Sequence, residues 1–212
     1  MKTLFFLLFS IICLNTQAQD WSTDNYKYNE LYPGYIITAD GERTSGYLKY
    51  RNRYVMQSEI IFYRSKEDLR SKKKYSPEDL IEYGVADKVY HCINYTGSAL
   101  TSGKRAVLLV NDGCISQYTW YERADGYNHL LQGSGESDED FAKRKYPETT
   151  VIYKKGDDIA VEIDFFKEKF PKKMASYVSD NKELATKVKS KQSGYNFIGI
   201  KGIIKEYNES CK

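Results

Sequence analysis

Apolar and polar positions alternate with a period of two from Gly34 to Ile163, and the period lengthens to about 3.6 after Asp164. The first stretch predicts strands. Tyr35-Ile36-Ile37-Thr38 and Gly46-Tyr47-Leu48-Lys49-Tyr50 flank Asp40-Gly41, a hairpin signal because glycine reaches positive φ without strain. Ile60-Ile61-Phe62-Tyr63 reads as a third strand, and Ser76-Pro77-Glu78-Asp79-Leu80 as one capped helical turn that hands over to Ile81–Val85. Along Lys88 to Tyr95, Val89, His91, Ile93 and Tyr95 share one face, and Tyr90 and Cys92 the other. Arg105 to Val110 is apolar on both faces and should be central, and Asn111-Asp112-Gly113 turns it into Cys114 to Tyr121. A weak strand follows at Tyr127 to Leu131. A third hairpin joins Thr150–Lys154 to Ile159–Ile163 around Gly156-Asp157-Asp158.

In the second stretch Phe166, Phe170, Met174 and Val178 line one helical face, in a helix that Pro171 should kink or divide. Asp180 with Glu183 resembles a capping box ahead of Leu184 and Val188. Ile200, Ile203, Ile204 and Tyr207 mark a last helix. The expected fold is α+β: a mainly antiparallel sheet, curled into a barrel or sandwich, followed by two to three helices packed on it. The expected organisation is an export signal over 1–18, an extended lead-in over 19–33, a β-rich domain over 34–163 and a helical segment over 164–212.

Composition sharpens the core. The aliphatic residues alone would make a thin one, but 20 Tyr and 2 Trp add large buriable side chains. Coiled-coil, collagen-like, membrane-embedded and fully disordered chains are excluded. A formal net charge of +3 with both signs dispersed gives no electrostatic footprint for nucleic acid. The densest basic run, Arg70-Ser71-Lys72-Lys73-Lys74, reads as a solvated sheet edge that discourages pairing with other chains.

Lys2, the apolar run Leu4 to Leu14 and the exit Thr16-Gln17-Ala18 have the three parts of a secretory signal, with cleavage after Ala18. The apolar run is shorter than the ~20 residues of a membrane span, so the mature chain is expected in the periplasm or outside the cell. Cys13 leaves with the signal. Of Cys92, Cys114 and Cys211, the first two lie on strands read as adjacent, so Cys92–Cys114 is the preferred disulfide.

Chemical motifs are sparse. His91 and His129 lack the paired spacing of a zinc site, and no cofactor is implied. Neighbouring His91 and Cys92 point to opposite faces and cannot act together. Gly133-Ser134-Gly135 is not a nucleophile elbow, and Gly97 to Lys104 is not a phosphate loop. Glu136, Asp138, Glu139 and Asp140 read as a solvated acidic loop without the ligand pattern of a calcium site. Asn94-Tyr95-Thr96 and Asn208-Glu209-Ser210 match a glycosylation pattern by coincidence.

Aromatic residues gather in the β part: Tyr35, Tyr47, Tyr50, Tyr63, Tyr83, Tyr90, Tyr118, Trp120 and Tyr121. Tyr118 and Trp120 share one strand face, with Cys114 in the same parity and Tyr121 opposite. Left open, that face would hold a sugar or a peptide; covered, it is core. The expected role is a non-enzymatic binding or envelope-associated module whose partner is an envelope protein or a glycan. The competing roles are a hydrolase using unmarked carboxylates such as Glu82 and Asp87, and a structural assembly factor.

The signal, Pro33-Gly34-Tyr35-Ile36-Ile37-Thr38 with Asp40-Gly41, Ser45-Gly46-Tyr47-Leu48-Lys49, Tyr75-Ser76-Pro77-Glu78-Asp79-Leu80 and the closing Tyr207-Asn208-Glu209-Ser210-Cys211 resemble a group of uncharacterised exported proteins of Bacteroidetes. The resemblance implies a bacterial exported protein and no catalytic residue. It also implies a cysteine near the start of the second C-terminal helix. This chain has Asn181-Lys182 there, which leaves Cys211 without that partner.

Overall fold

The computed structural model describes residues 26–95, 103–124 and 131–211. The signal segment, Cys13 and His129 lie outside the described residues, as do most of the weak strand expected at Tyr127 to Leu131 and most of Gly97 to Lys104. The strands are β1 (Leu31–Thr38), β2 (Arg43–Lys49), β3 (Ile60–Tyr63), β4 (Lys73–Tyr75), β5 (Leu80–Val85), β6 (Lys88–Asn94), β7 (Lys104–Asn111), β8 (Ile115–Tyr121), β9 (Glu148–Lys154) and β10 (Val161–Glu162). The helices are α1 (Asp138–Lys145), α2 (Phe170–Tyr177), α3 (Lys182–Lys189) and α4 (Ile200–Ser210). All ten strands form one antiparallel sheet in the order β10-β9-β8-β7-β6-β5-β1-β2-β3-β4, which is not closed. The α+β class follows, and no helix among the described residues is long and apolar enough to cross a membrane.

Local chemistry sets most elements where the pattern puts them. Gly41 sits at φ +88° in the β1–β2 turn. Ser76 to Asp79 closes its turn with the Ser76 N–H donating to the Asp79 carboxylate at 2.7 Å. The lysine-rich β4 ends the sheet, as a blunted edge should. The ordered sheet begins at Leu31 rather than Gly34, because Leu31 pairs with Lys49 and Tyr26 and Tyr32 pack on Tyr50, contacts that no local period announces.

The two faces of β8 explain the core. Ile115 and Tyr121 lie on one face. Around Tyr121 the first cluster gathers Ile36, Leu48, Tyr50, Phe62, Tyr83, Tyr90, Cys92 and Leu108, with Met56 from the turn over Val55–Gln57 laid across it. Tyr83 and Tyr90 stack within it at 4.7 Å. At the Ile115 end, Ile115 and Ile152 meet Phe166, Phe170, Met174, Val178, Leu184, Val188 and the Ile200–Tyr207 stripe of α4. Tyrosines therefore fill the sheet core, whereas Phe, Met and Ile fill the helical one. On the opposite face, Tyr118, Val107 and Val151 form a third cluster with Tyr95 and Ala160. A single parallel bridge between Tyr95 and Ala160, with the Ala160 N–H donating to the Asn94 carbonyl at 2.8 Å, brings the chain after β9 back to β6. Strands β6 to β10 so wrap around this cluster.

Three expectations are corrected. The disulfide joins Cys114 to Cys211, with Cα atoms 6.5 Å apart, and Cys92 is a buried free thiol. The registers Cys92↔Ala106 and Leu108↔Thr119 show why: β7 separates β6 from β8, and Cys92 lies level with Tyr121, on the order of 20 Å along the strand from Cys114. The acidic stretch is not all loop, since Asp138–Lys145 is helical behind a Ser137 cap that accepts the Asp140 N–H at 3.1 Å. Its polar sequence gave no amphipathic stripe, and the ion pairs Glu136–Arg144 (2.7 Å) and Glu139–Lys143 (2.6 Å) hold it. The helix expected from Phe166 to Val178 is divided ahead of Pro171, which lies in the first turn of α2, because Lys169 turns the chain through the left-handed region at φ +56°. Asn181, not Asp180, caps α3, accepting the Leu184 N–H at 3.0 Å. Asp180 instead accepts Lys154 at 2.7 Å and the Tyr207 hydroxyl at 2.5 Å.

Candidate functional site

Alternation along β1, β5, β6 and β8 sends Tyr35, Glu82, His91 and Tyr118 to the face of the third cluster, in the registers Tyr35↔Gly84 and Glu82↔His91. They join in one hydrogen-bonded row. The Tyr35 hydroxyl donates to Glu82 Oε1 at 2.5 Å, His91 Nε2 lies 3.2 Å from Glu82 Oε2, and His91 Nδ1 lies 2.9 Å from the Tyr118 hydroxyl. The Arg43 guanidinium stands 3.5 Å over the Tyr35 ring. With Glu82 ionised, Nε2 donates to it, and in the neutral ring Nδ1 then accepts from Tyr118.

The hydrogen bond from His91 holds the Glu82 carboxyl below the usual glutamate range, against partial burial, and the Tyr35 bond adds to it. Burial, and then the bond to Glu82, push Tyr35 up to about 12, and burial pushes Tyr118 up to about 12. Tyr118 is only 2% exposed. Its hydroxyl is therefore neither ionised nor accessible as a nucleophile, and the row ties strands together rather than attacking a substrate. Because Glu82 titrates lower folded than unfolded, its contribution to stability is present above the ordinary value near 4.3 and is lost as pH falls through the folded value. Urea midpoints measured at about pH 6 and about pH 3 should fall further for the wild type than for Glu82→Gln. Equal falls would remove Glu82 from the acid response.

Gly84 makes room for this row. A Cβ there would stand 2.3 Å from the Tyr35 ring, so glycine alone lets Tyr35 lie flat across β5. Trp120 packs edge-on against Tyr95 at 5.4 Å, and the Tyr95 hydroxyl donates to Glu162 at 2.7 Å. The aromatic face read from sequence is thus covered at Tyr118 by the returning β10 segment and half-buried at Trp120. Asp87 is not brought to Glu82: it lies in the β5–β6 turn, where it accepts the Tyr26 hydroxyl. Cys92 faces the opposite side from His91, and burial pushes its thiol up to about 12. Among the described residues no three His, Cys, Asp or Glu side chains converge as metal ligands.

A further concavity lies elsewhere. A groove of about 610 Å³ runs between the β9–β10 turn and α2, lined by Lys154, Asp157, Phe165, Lys169, Lys172, Lys173 and Tyr177. Lys154 is already engaged, by the Tyr177 carbonyl at 2.9 Å and by Asp180. Lys173 donates to the Phe165 carbonyl at 2.5 Å and sits 4.1 Å over that ring. Lys169 and Lys172 are exposed and form no ion pair with a described residue. Asp157 is the single acid among the lining residues, against four lysines of which Lys154 is paired with Asp180.

Beside it a second groove of about 500 Å³ lies between α2 and α3, lined by Pro171, Ala175, Ala185, Thr186 and Lys189 and sharing Lys172 and Ser176 with the first. A third, near the β4 edge, sets Arg64, Arg70, Lys72 and Lys73 against two acids, Glu42 and Asp68. No family model, curated protein or solved structure matches the chain. The lysine groove went unread in the sequence because Lys154 comes from a strand and the others from the start of α2. The only local signal was Lys169, Lys172 and Lys173 around Pro171.

Proposed function

We propose that the chain is an exported, non-enzymatic binding module of the bacterial envelope that takes its ligand in the groove between the β9–β10 turn and α2. The observation that carries this reading is the groove itself: a concavity of ligand size, about 610 Å³, whose lysines outnumber its acids and whose walls include Phe165 and Tyr177. Phe165 is 52% exposed there, a large apolar side chain left half open to solvent. The carboxyl groups in polar networks support binding over hydrolysis. Glu82 is held low by His91, Glu206 by the Tyr195 hydroxyl, and Glu136 by Arg144, down to about 2, so each stays ionised at neutral pH and none serves as a general acid. The signal-like segment over 1–18 and the resemblance to exported Bacteroidetes proteins support a ligand in the envelope or outside it.

The test is a pull-down from native envelope with the wild type and with K169Q/K172Q. Both lysines are exposed, so the variant should fold normally. The expected result is an envelope component retained by the wild type and lost by the variant. Recovery of the same material by both, or of chaperones alone, counts against the groove as the site.

A further inference from the structure

Residues 164–212 carry 11 Lys against 6 Asp and Glu, whereas residues 1–163 carry 21 Lys and Arg against 23 acids, so the positive excess of the chain lies in its helical segment. Packing gathers much of it at one end. The Asn181 amide donates to the Ser210 hydroxyl at 2.7 Å, and the Lys187–Glu206 ion pair follows at 2.9 Å, so α3 and α4 run antiparallel. Lys172 near the start of α2 and Lys189 at the end of α3 line the same concavity. The Phe197 ring ahead of α4 packs on Phe170 at the start of α2, with centroids 6.1 Å apart. The start of α2, the end of α3 and the start of α4 therefore share one pole. It carries Lys169, Lys172, Lys189, Lys191 and Lys201, all exposed and in no ion pair with a described residue. Over residues 167–173 and 187–201, Glu168 is the single acid. At the same pole Ile198 is 93% exposed, the most open of the large apolar side chains among the described residues. The turn that carries it is fixed: the Tyr195 hydroxyl donates to Glu206 at 2.7 Å, and the Gly199 N–H donates to the Asn196 side chain at 3.0 Å.

We propose that this pole docks on an anionic lipid bilayer, with Lys189, Lys191 and Lys201 at the level of the lipid phosphates and Ile198 inserted beneath them. The proposal goes beyond the groove reading and does not rest on it, since none of these four residues lines the groove between the β9–β10 turn and α2. Charge complementarity selects the surface. Each lysine close to an anionic membrane is worth about fivefold in binding, and three from two helix ends and the turn after α3 present their charge as a patch. Ile198 selects the bilayer among anionic partners, because a membrane holds an apolar layer directly under its charges. A soluble polyanion would neutralise the lysines and leave Ile198 in water.

Co-sedimentation of the full mature chain with lipid vesicles tests the proposal. Vesicles of phosphatidylcholine alone are compared with vesicles containing about one-third phosphatidylglycerol, in about 0.1 M and about 0.5 M salt. The chain should partition at least about tenfold more strongly onto the anionic vesicles at low salt, and raised salt should remove most of that gain. K189Q/K191Q/K201Q should weaken the anionic binding about tenfold or more, whereas K189R/K191R/K201R, which keeps the charge, should bind as the wild type does. I198S should weaken it about threefold or more at both salt concentrations, because the apolar contact is not screened. All four residues are exposed, so the urea midpoints of the variants should match that of the wild type. Equal binding to both kinds of vesicle overturns the charged contact, and wild-type binding by I198S overturns the insertion. Loss of binding in K169Q/K172Q with none in K189Q/K191Q/K201Q moves the contact to the groove and overturns the pole. Retention on polygalacturonate without retention on vesicles overturns the membrane in favour of a soluble polyanion. Absence of binding to any vesicle overturns the proposal and leaves the groove reading to the envelope pull-down.

Discussion

Removing the Cys114–Cys211 disulfide, by the double replacement C114S/C211S, is expected to lower the unfolding free energy by about 4–5 kcal/mol. The two cysteines are separated by 97 residues, and closing a loop of that length withdraws much of the denatured chain's freedom. Against a net stability of roughly 5–15 kcal/mol for a domain, such a loss is large. The bond anchors the last turn of α4 to the start of β8, and a second tie acts beside it. The Asn208 side chain accepts the Ile115 N–H at 2.7 Å and donates to the Ile115 carbonyl at 2.9 Å. Gly113 permits this approach, since a Cβ there would stand 2.4 Å from the Asn208 amide. Fraying of α4 alone is therefore opposed, and the loss should appear as a lower urea midpoint of the whole transition. Reductant should lower the wild-type midpoint and leave that of C114S/C211S unmoved. A double variant with a wild-type midpoint sinks the prediction.

Replacing Gln57 with Leu is expected to cost about 2–4 kcal/mol, although Leu is apolar and of similar size, because two buried backbone groups lose the hydrogen bonds that Gln57 makes to them. Gln57 is fully buried. Its side-chain amide donates to the Tyr121 carbonyl at 2.7 Å, and its carbonyl accepts the Tyr121 N–H at 2.6 Å. One carboxamide thus completes the pairing of a strand end, as Asn208 does at Ile115. The need arises from the pairing: β9 pairs with β8 from Ile115 to Tyr121, whereas β7 pairs with Gln117, Tyr118 and Thr119 and its ladder stops short of Tyr121. Urea denaturation measures the loss, and amide exchange at Tyr121 localises it. A midpoint shift worth less than about 0.5 kcal/mol, the range of ordinary surface changes, would show that the clamp is dispensable.

Neither amide was visible as a clamp in the sequence. Gln57 follows a stretch without period, and Asn208 reads as part of a glycosylation pattern, although its amide nitrogen is committed to the Ile115 carbonyl. Glu82 stands out in the sequence as a carboxylate and His91 as a histidine outside any zinc spacing, yet their pairing depends on the β5–β6 register, which alternation suggests but does not set. The groove lysines were present as ordinary surface charges. They became a site only when the β9–β10 turn came beside α2.

By itself the sequence determined the antiparallel strands, the turns at Asp40-Gly41 and Ser76-Pro77, the central, doubly apolar β7 and the change to helices after Asp164. Each of these rests on signals within a few residues: side-chain periods of two or about 3.6, a glycine free to take positive φ, and a capped turn. Only the tertiary structure decided that Cys114 bonds Cys211, that Tyr118 is covered while Trp120 is half-buried, and that lysines from β9 and α2 share a groove. Those outcomes depend on how a ten-stranded sheet curls and which strand lies between two others, and such long-range contacts leave no mark in a local pattern.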